Sequence, residues 1–207
     1  MKIIQNRRFV LALFGAGLLA IVACRVSAVE PAALFSTDFS GGADTWTLVS
    51  GVFKAETGAY RGLAMEESTR LARVVTGETA WKDYRVTARL KLDRTANDRA
   101  DYGVIARYQD KNNYYMVLYK THSRHCTIEA KIAGKLRTLA EAPCDIDPAQ
   151  WHEFAFTVSG PSLALAIDGK PVVKVEDTTL ANGAPGLLAF YDEIQSNRFV
   201  VEAVAAP

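Results

Sequence analysis

Helical periodicity is missing from almost all of this 207-residue chain. Beyond the first 28 residues no segment repeats its apolar positions every three to four residues, so strands are the building material. There is no excess of one charge: 24 basic against 23 acidic residues give a formal +1. Nucleic-acid binders carry a strong basic surplus, so nucleic acid is not an expected partner. Internal repeats of 20–50 residues and low-complexity linkers are absent too, which favours one domain. Only three cysteines occur, Cys24, Cys126 and Cys144. With 49% hydrophobic and 23% charged residues the composition is ordinary globular, unlike collagen, long disorder or a polytopic membrane protein.

What is present begins with an address. Residues 1–28 combine a positive start (Lys2, Arg7, Arg8) with an uncharged, mostly apolar run from Phe9 to Ala23. That run is shorter than the roughly 20 residues needed to span a bilayer, and it fits a secretory signal peptide. Two exits stay open. Val26-Ser27-Ala28 suits a signal peptidase, whereas Ile21-Val22-Ala23-Cys24 suits a lipobox, with Cys24 lipidated; an uncleaved anchor is the remaining alternative. The expected compartment is therefore the periplasm or the outside, or a lipid-anchored place on the envelope, with no transmembrane span in the mature form. The segment holds four of the 24 basic residues and none of the 23 acidic ones, so the remainder has 20 against 23, a formal −3.

Residues 29–207 read as one all-β domain. Tyr84, Val86, Ala88, Leu90 and Leu92 alternate with Arg85, Thr87, Arg89 and Lys91, the mark of a strand with one buried face. Tyr102–Gln109, Tyr114–Lys120, Thr127–Ile132, Leu136–Ala140 and His152–Val158 are rich in aromatic and β-branched residues. Leu163–Ile167 leads through Asp168-Gly169 into Pro171–Val175, and Gly186–Tyr191 and Arg198–Val204 close the set. Asp147–Gln150 reads as a short helical turn. Strands at this spacing mean an antiparallel sandwich or barrel.

In an exported protein Cys126 and Cys144 are expected to pair. A turn at Ala133–Lys135, centred on Lys135, would set them opposite each other, and such a bond is worth about 3 kcal/mol.

Several stretches resemble the concanavalin A-like jelly roll in its laminin-G-like bacterial form: Thr37–Trp46, Gly51-Val52-Phe53, Trp81–Tyr84, Gly103–Asp110 with Asn113–Tyr115, Trp151-His152, Ile167–Lys170 and Gly186–Phe190. The resemblance covers nearly all of residues 34–204 and implies a two-sheet antiparallel β-sandwich. It leaves function open, because this fold carries sugar-binding and adhesion modules, glycosidases and polysaccharide lyases alike.

The site patterns of those families are weighed in turn. Many members hold a structural calcium with an Asp near each chain end. Asp38 is present, but Phe199 is followed by Val200 and Val201, so calcium is disfavoured and no cofactor is expected. Glycosidases of this fold carry Glu-x-Asp-x-x-Glu on one strand, and lyases a basic strand with Gln-x-His and a Tyr. Neither pattern occurs; Glu129 is the lone acid of its strand, and no catalytic residue is assigned. His122, His125 and Cys126 lack a fourth ligand and read as a solvated loop, and His152 as the start of a strand. The functional expectation is an exported, non-catalytic domain that binds a polysaccharide or glycan. A glycan-active hydrolase or lyase, or an envelope protein-interaction module, is the alternative. The ligand-binding group is Arg107, Tyr108, Gln109, Asp110, Asn113, Tyr114, Tyr115 and Tyr119, joined by Tyr191, Asp192 and Asn197 near the last turn. Period two predicts that Arg107 and Gln109 share one face and Tyr108 the other.

Overall fold

The alternation predicted from sequence is realised in fifteen strands among the described residues. A computed structural model describes residues 32–56, 59–63, 71–93 and 99–205. The readings on residues 1–28, including cleavage after Ala28 and the lipobox at Cys24, lie outside them. In chain order the strands are β1 (Ala33–Thr37), β2 (Trp46–Ser50), β3 (Val52–Glu56), β4 (Ala59–Leu63), β5 (Leu71–Thr76), β6 (Tyr84–Leu92), β7 (Asp101–Asp110) and β8 (Asn113–Lys120). They continue as β9 (His125–Ile132), β10 (Lys135–Pro143), β11 (His152–Ser159), β12 (Ser162–Ile167), β13 (Lys170–Glu176), β14 (Ala184–Phe190) and β15 (Ile194–Ala203). No described helix is long and apolar enough to cross a membrane.

Two antiparallel sheets result. The first runs β13-β12-β11-β6-β15-β4-β3, with β1 sharing the long edge of β15 beside β4. The second runs β10-β9-β8-β7-β14-β5-β2. Their facing surfaces make the main core. β6 delivers Tyr84, Val86, Ala88 and Leu90 to it, β11 delivers Phe154 and Phe156, and β15 delivers Phe199 and Val201, all fully buried. From the other layer come Tyr102 and Val104 of β7, Tyr115, Val117 and Tyr119 of β8, and Cys126 and Ile128 of β9. Each Phe or Val removed from water stabilises the fold by roughly 1.5–3 kcal/mol. Trp46 closes one end edge-on to Phe199, centroids 4.8 Å apart. This is the all-β sandwich expected of the concanavalin A-like jelly roll.

Two details depart from the sequence expectations, and one short turn agrees with them. The strands β1–β5 were not marked by alternation; β5 is buried at every position, so its run has no polar beat to read. Asp147–Gln150 makes the expected single turn, closed by Gln150 N donating to Asp147 O at 3.0 Å. The hairpin joining β9 to β10 turns on Ala133-Gly134, both at positive φ (50° and 79°), with Ile132 paired to Lys135. The turn is thus centred before Lys135, and a bulge between Thr138 and Ala140 shifts the later register, so Cys126 faces Ala142 instead of Cys144. Both cysteines are free, buried thiols hydrogen-bonded to each other, not the expected disulfide. Burial and that contact push the Cys126 thiol up.

Candidate functional site

Period two gives the second sheet an outer face as well as a core face, and the chemistry is concentrated there. Directly paired residues project to the same side. The rows Asp101–Lys120–His125, Gly103–Leu118–Thr127 and Ile105–Met116–Glu129 therefore stack across β7, β8 and β9. Ile105, Met116, Leu118 and Leu188 make a second apolar cluster, distinct from the main core. Gly103 keeps β7 close to β8: a Cβ there would meet Val117 O at 2.0 Å.

Charged groups are set into this apolar floor. Lys120 Nζ lies 2.6 Å from Glu129 Oε1, which also accepts from Thr127 Oγ1 at 3.1 Å. The Glu129 side chain is 1% exposed, and its second oxygen has no hydrogen-bond partner. Asp101, on the same face, has a buried Oδ1 without a hydrogen bond; His122 Nδ1 stands 3.7 Å away. Burial pushes the Asp101 carboxyl up; Lys120 and His122 oppose the rise and Glu129 adds to it. Arg99, Asp101, His122 and Tyr191 line a recess of about 480 Å³ at this end.

The opposite end of the face is basic. Arg73 of β5 bonds Ser50 Oγ at 3.3 Å, and its Nη1 donates to Lys111 O and Tyr114 Oη, each at 3.2 Å. The Arg73 guanidinium and the Lys131 ammonium lie 5.5 Å and 5.9 Å from the Tyr114 ring centroid. Tyr108 stacks on Tyr114 at 5.8 Å. From Tyr114 to Lys120 the face extends about 20 Å, at roughly 3.3 Å per residue.

The residues singled out from sequence divide three ways. Tyr108, Tyr114 and Tyr191 are on or beside the outer face. Gln109, Asp110 and Asn113 form its rim, mostly bonded to their own turn. Asp110 accepts from Asn112 N at 2.6 Å and Asn113 Nδ2 at 2.9 Å, and Gln109 Nε2 reaches Asn182 O at 3.2 Å. Arg107, Tyr115 and Tyr119 turn inward. Tyr115 Oη donates to Asp177 at 2.5 Å and accepts from Leu180 N at 3.0 Å; burial, then that acid, pushes it up to about 12. Tyr119 Oη donates to Ile146 O at 3.1 Å.

Arg107 breaks the predicted alternation. It has φ of 48° at a bulge between Ala106 and Asp110, which turns its side chain into the protein, 1% exposed. Its Nη1 donates to Leu180 O at 2.8 Å and its Nε to Lys82 O at 3.1 Å, while Nη2 lies 3.4 Å from Asp83. Its backbone N–H donates to Tyr84 Oη at 2.6 Å, and Gly183 (φ 150°) lies so close that a Cβ would meet Arg107 C at 2.2 Å. Arg107 joins loops; it does not share a face with Gln109.

Sequence reasoning missed Asp101, Lys120, Glu129 in its paired role, Lys131 and Arg73. The signal was the polar beat of Thr127, Glu129 and Lys131 set against the apolar Tyr114, Met116 and Leu118. His122, His125 and Cys126 do not converge, since Cys126 is in the core. Among the described residues no group of His, Cys, Asp or Glu is arranged to hold a metal ion. Asp38 bonds Ser40 N at 3.0 Å and Ser40 Oγ at 2.6 Å. His152 bonds Asp168 at 2.7 Å.

Comparison with known proteins bears on the family and the fold. A family model described as the 3-keto-alpha-glucoside-1,2-lyase-like domain matches residues 33–199. No curated protein matches the sequence. Among solved structures, a carbohydrate-binding module, CBM66, from Bacillus subtilis superposes with a TM-score of 0.69 at 16% identity, covering 77% of this chain and 96% of its own. A Bacillus subtilis protein of unknown function with a galectin-like fold gives 0.70 at 10% identity, covering 85% and 98%. The VIP36 exoplasmic/lumenal domain, in a form bound to Ca2+ and Man3GlcNAc, gives 0.60 at 12%, covering 79% and 85%. At such identities the likeness is one of fold.

Proposed function

The chain belongs to the 3-keto-alpha-glucoside-1,2-lyase-like domain family, and from that premise we propose that it binds a glycan on the outer face of its second sheet. One observation carries the reading: Glu129, 1% exposed, keeps a carboxylate oxygen unfilled above an apolar floor. A buried acceptor without a donor costs about 1–3 kcal/mol, which a ligand hydroxyl would return. Ile105, Met116 and Leu118 are themselves buried and make the floor beneath the site, while the part-exposed Asp101 and Lys120 supply further partners for hydroxyls. The B. subtilis module named as carbohydrate-binding and the VIP36 form named with Man3GlcNAc support this reading through their shared architecture. Titration of the protein against a panel of neutral and acidic oligosaccharides by calorimetry tests it. Binding that Glu129→Gln weakens at least about tenfold, one lost charge-assisted hydrogen bond, is expected. A panel without any binder ends the reading.

A second reading makes the same face catalytic, favoured by the two carboxylates Glu129 and Asp101 on one face, the latter pushed up. In a 1,2-elimination of a 3-keto-glucoside, the ketone acidifies the C2 proton. Glu129 takes that proton, the electron pair forms the C1=C2 bond, and the glycosidic oxygen leaves with a proton from Asp101. Incubation with a 3-keto-disaccharide, followed by the enone absorbance of the product, distinguishes the two readings.

We also read residues 1–28 as an export signal, with release after Ala28 preferred to lipidation at Cys24. In an oxidising compartment Cys126 and Cys144, already in contact, would be joined. The intact mass of the secreted protein under non-reducing conditions reports the cleavage site, any lipid and the loss of two hydrogens together.

A further inference from the structure

We propose that the Tyr114 end of the outer face is an anion subsite that takes the carboxylate or sulfate group of an acidic glycan. Lys131 and Lys111 stand at its mouth and Arg73 behind them. The inference deepens the glycan-binding reading and rests on it.

The argument is one of missing counter-charge. Arg73 is 7% exposed, yet among the described residues every partner of its guanidinium is neutral: Ser50 Oγ, Lys111 O, Tyr114 Oη and the Tyr114 ring. Lys131 Nζ lies 5.9 Å from the centroid of the same ring, and among the described residues no ion pair engages it. Among the described residues two acids are near, and both are engaged elsewhere. Asp110 is held by Asn112 N and Asn113 Nδ2, and Glu129 by Lys120 and Thr127. Burying a cation without an anion is unfavourable, and a fold that keeps one gains by receiving an anion from outside. The Lys131 ammonium is held below its usual range first by burial, then by Arg73 and Lys111. An arriving anion would relieve that repulsion. Lys131 is half-buried and Lys111 exposed, so both can meet a ligand that Arg73 attracts from behind. The far end, with Asp101 and Glu129, has the opposite character. The face is therefore polarised, with its acidic sugar expected over Tyr114 and neutral sugars toward Lys120.

The test measures affinity by calorimetry for three oligosaccharides of equal length: a neutral one, an oligogalacturonide and a sulfated one. The carboxylate and sulfate arms identify the source of the anion. The full chain should prefer one acidic arm over the neutral one by about tenfold or more, the value of one charge-assisted contact. That preference should shrink as salt rises. Lys131→Gln should remove most of the preference while leaving neutral binding unchanged, and Lys111→Gln should remove less. Both positions reach solvent, so their variants should keep the wild-type melting temperature, and Arg73→Gln is interpreted only alongside that measurement. Equal affinity for all three arms, or a preference that survives Lys131→Gln, overturns the subsite and leaves the glycan reading standing. Absence of binding in every arm removes the glycan reading, and the subsite with it.

Discussion

The two faces of β7, β8 and β9 are made by the same strands and the same alternation, yet they treat polar groups in opposite ways. On the core face, the tyrosine hydroxyls mostly reach outward past the apolar layer to a fixed partner. Tyr115 finds Asp177 and Leu180 N, and Tyr119 finds Ile146 O; Tyr102 Oη alone is unfilled. On the outer face, Glu129 and Asp101 each keep an oxygen unfilled, and among the described residues Arg73 and Lys131 have no acid partner. The difference separates two uses of a buried polar group. One that is satisfied ties a loop to the sandwich and sharpens the fold. One left waiting costs stability and is retained where something else completes it.

The largest effect should come from the core side. Arg107→Met removes the donors to Leu180 O and Lys82 O and leaves both acceptors orphaned. Urea denaturation should show a loss of about 3 kcal/mol or more. A loss below 1 kcal/mol would mean that these loops do not depend on the bulged arginine. Glu129→Gln should do the reverse. It should change stability by less than about 1 kcal/mol, since the amide keeps the shape and Lys120 can turn to water, while glycan affinity falls at least about tenfold. If both properties fell together, the contrast between the faces would be lost. Tyr115→Phe should cost about 1 kcal/mol and leave glycan binding intact.

Acid pH offers the finest discrimination. Asp177 serves the core side. Burial raises its carboxyl, but bonds from Thr179 and Tyr115 and the charge of Arg137 outweigh that and hold it below the usual range. Its contribution is present above the unfolded carboxylate value and is lost as pH falls through the folded one. Asp101 serves the outer side, and its carboxyl is raised. Its charge penalises the fold at neutral pH, and the penalty fades as pH falls through the raised value. Asp101→Asn should therefore stabilise the protein at pH 7 and lose that advantage in acid. Asp177→Asn should be less stable at pH 7 and converge with the wild type in acid. Thermal melts of both variants across the acid range check the signs.

Much of this was legible in the chain. The alternation of β6 and the aromatic runs of β7, β8, β9 and β11 declared strands with one buried side. The resemblance of Thr37–Trp46, Gly103–Asp110 and Gly186–Phe190 to the jelly roll declared the sandwich. The site was legible only in part. Tyr108, Tyr114 and Tyr191 were singled out and do sit on or beside the outer face. Arg107 was misassigned because one bulge reverses the beat that period two assumes. Arg73 escaped notice because its strand has no polar alternation.

By itself, then, the sequence determined which residues alternate and so which side chains share a face within one strand. That is local geometry, fixed by the pleat. Which strands lie side by side was decided only by the tertiary structure. The order β9-β8-β7-β14-β5 carries Arg73 to Tyr114 and Lys131 across a large separation in sequence, and β7 against β8 brings Asp101 beside Lys120 and Glu129. No periodicity encodes such meetings. They follow from the pairing that buries the whole apolar inner surface at once, and the charges on the outer face are placed by that choice.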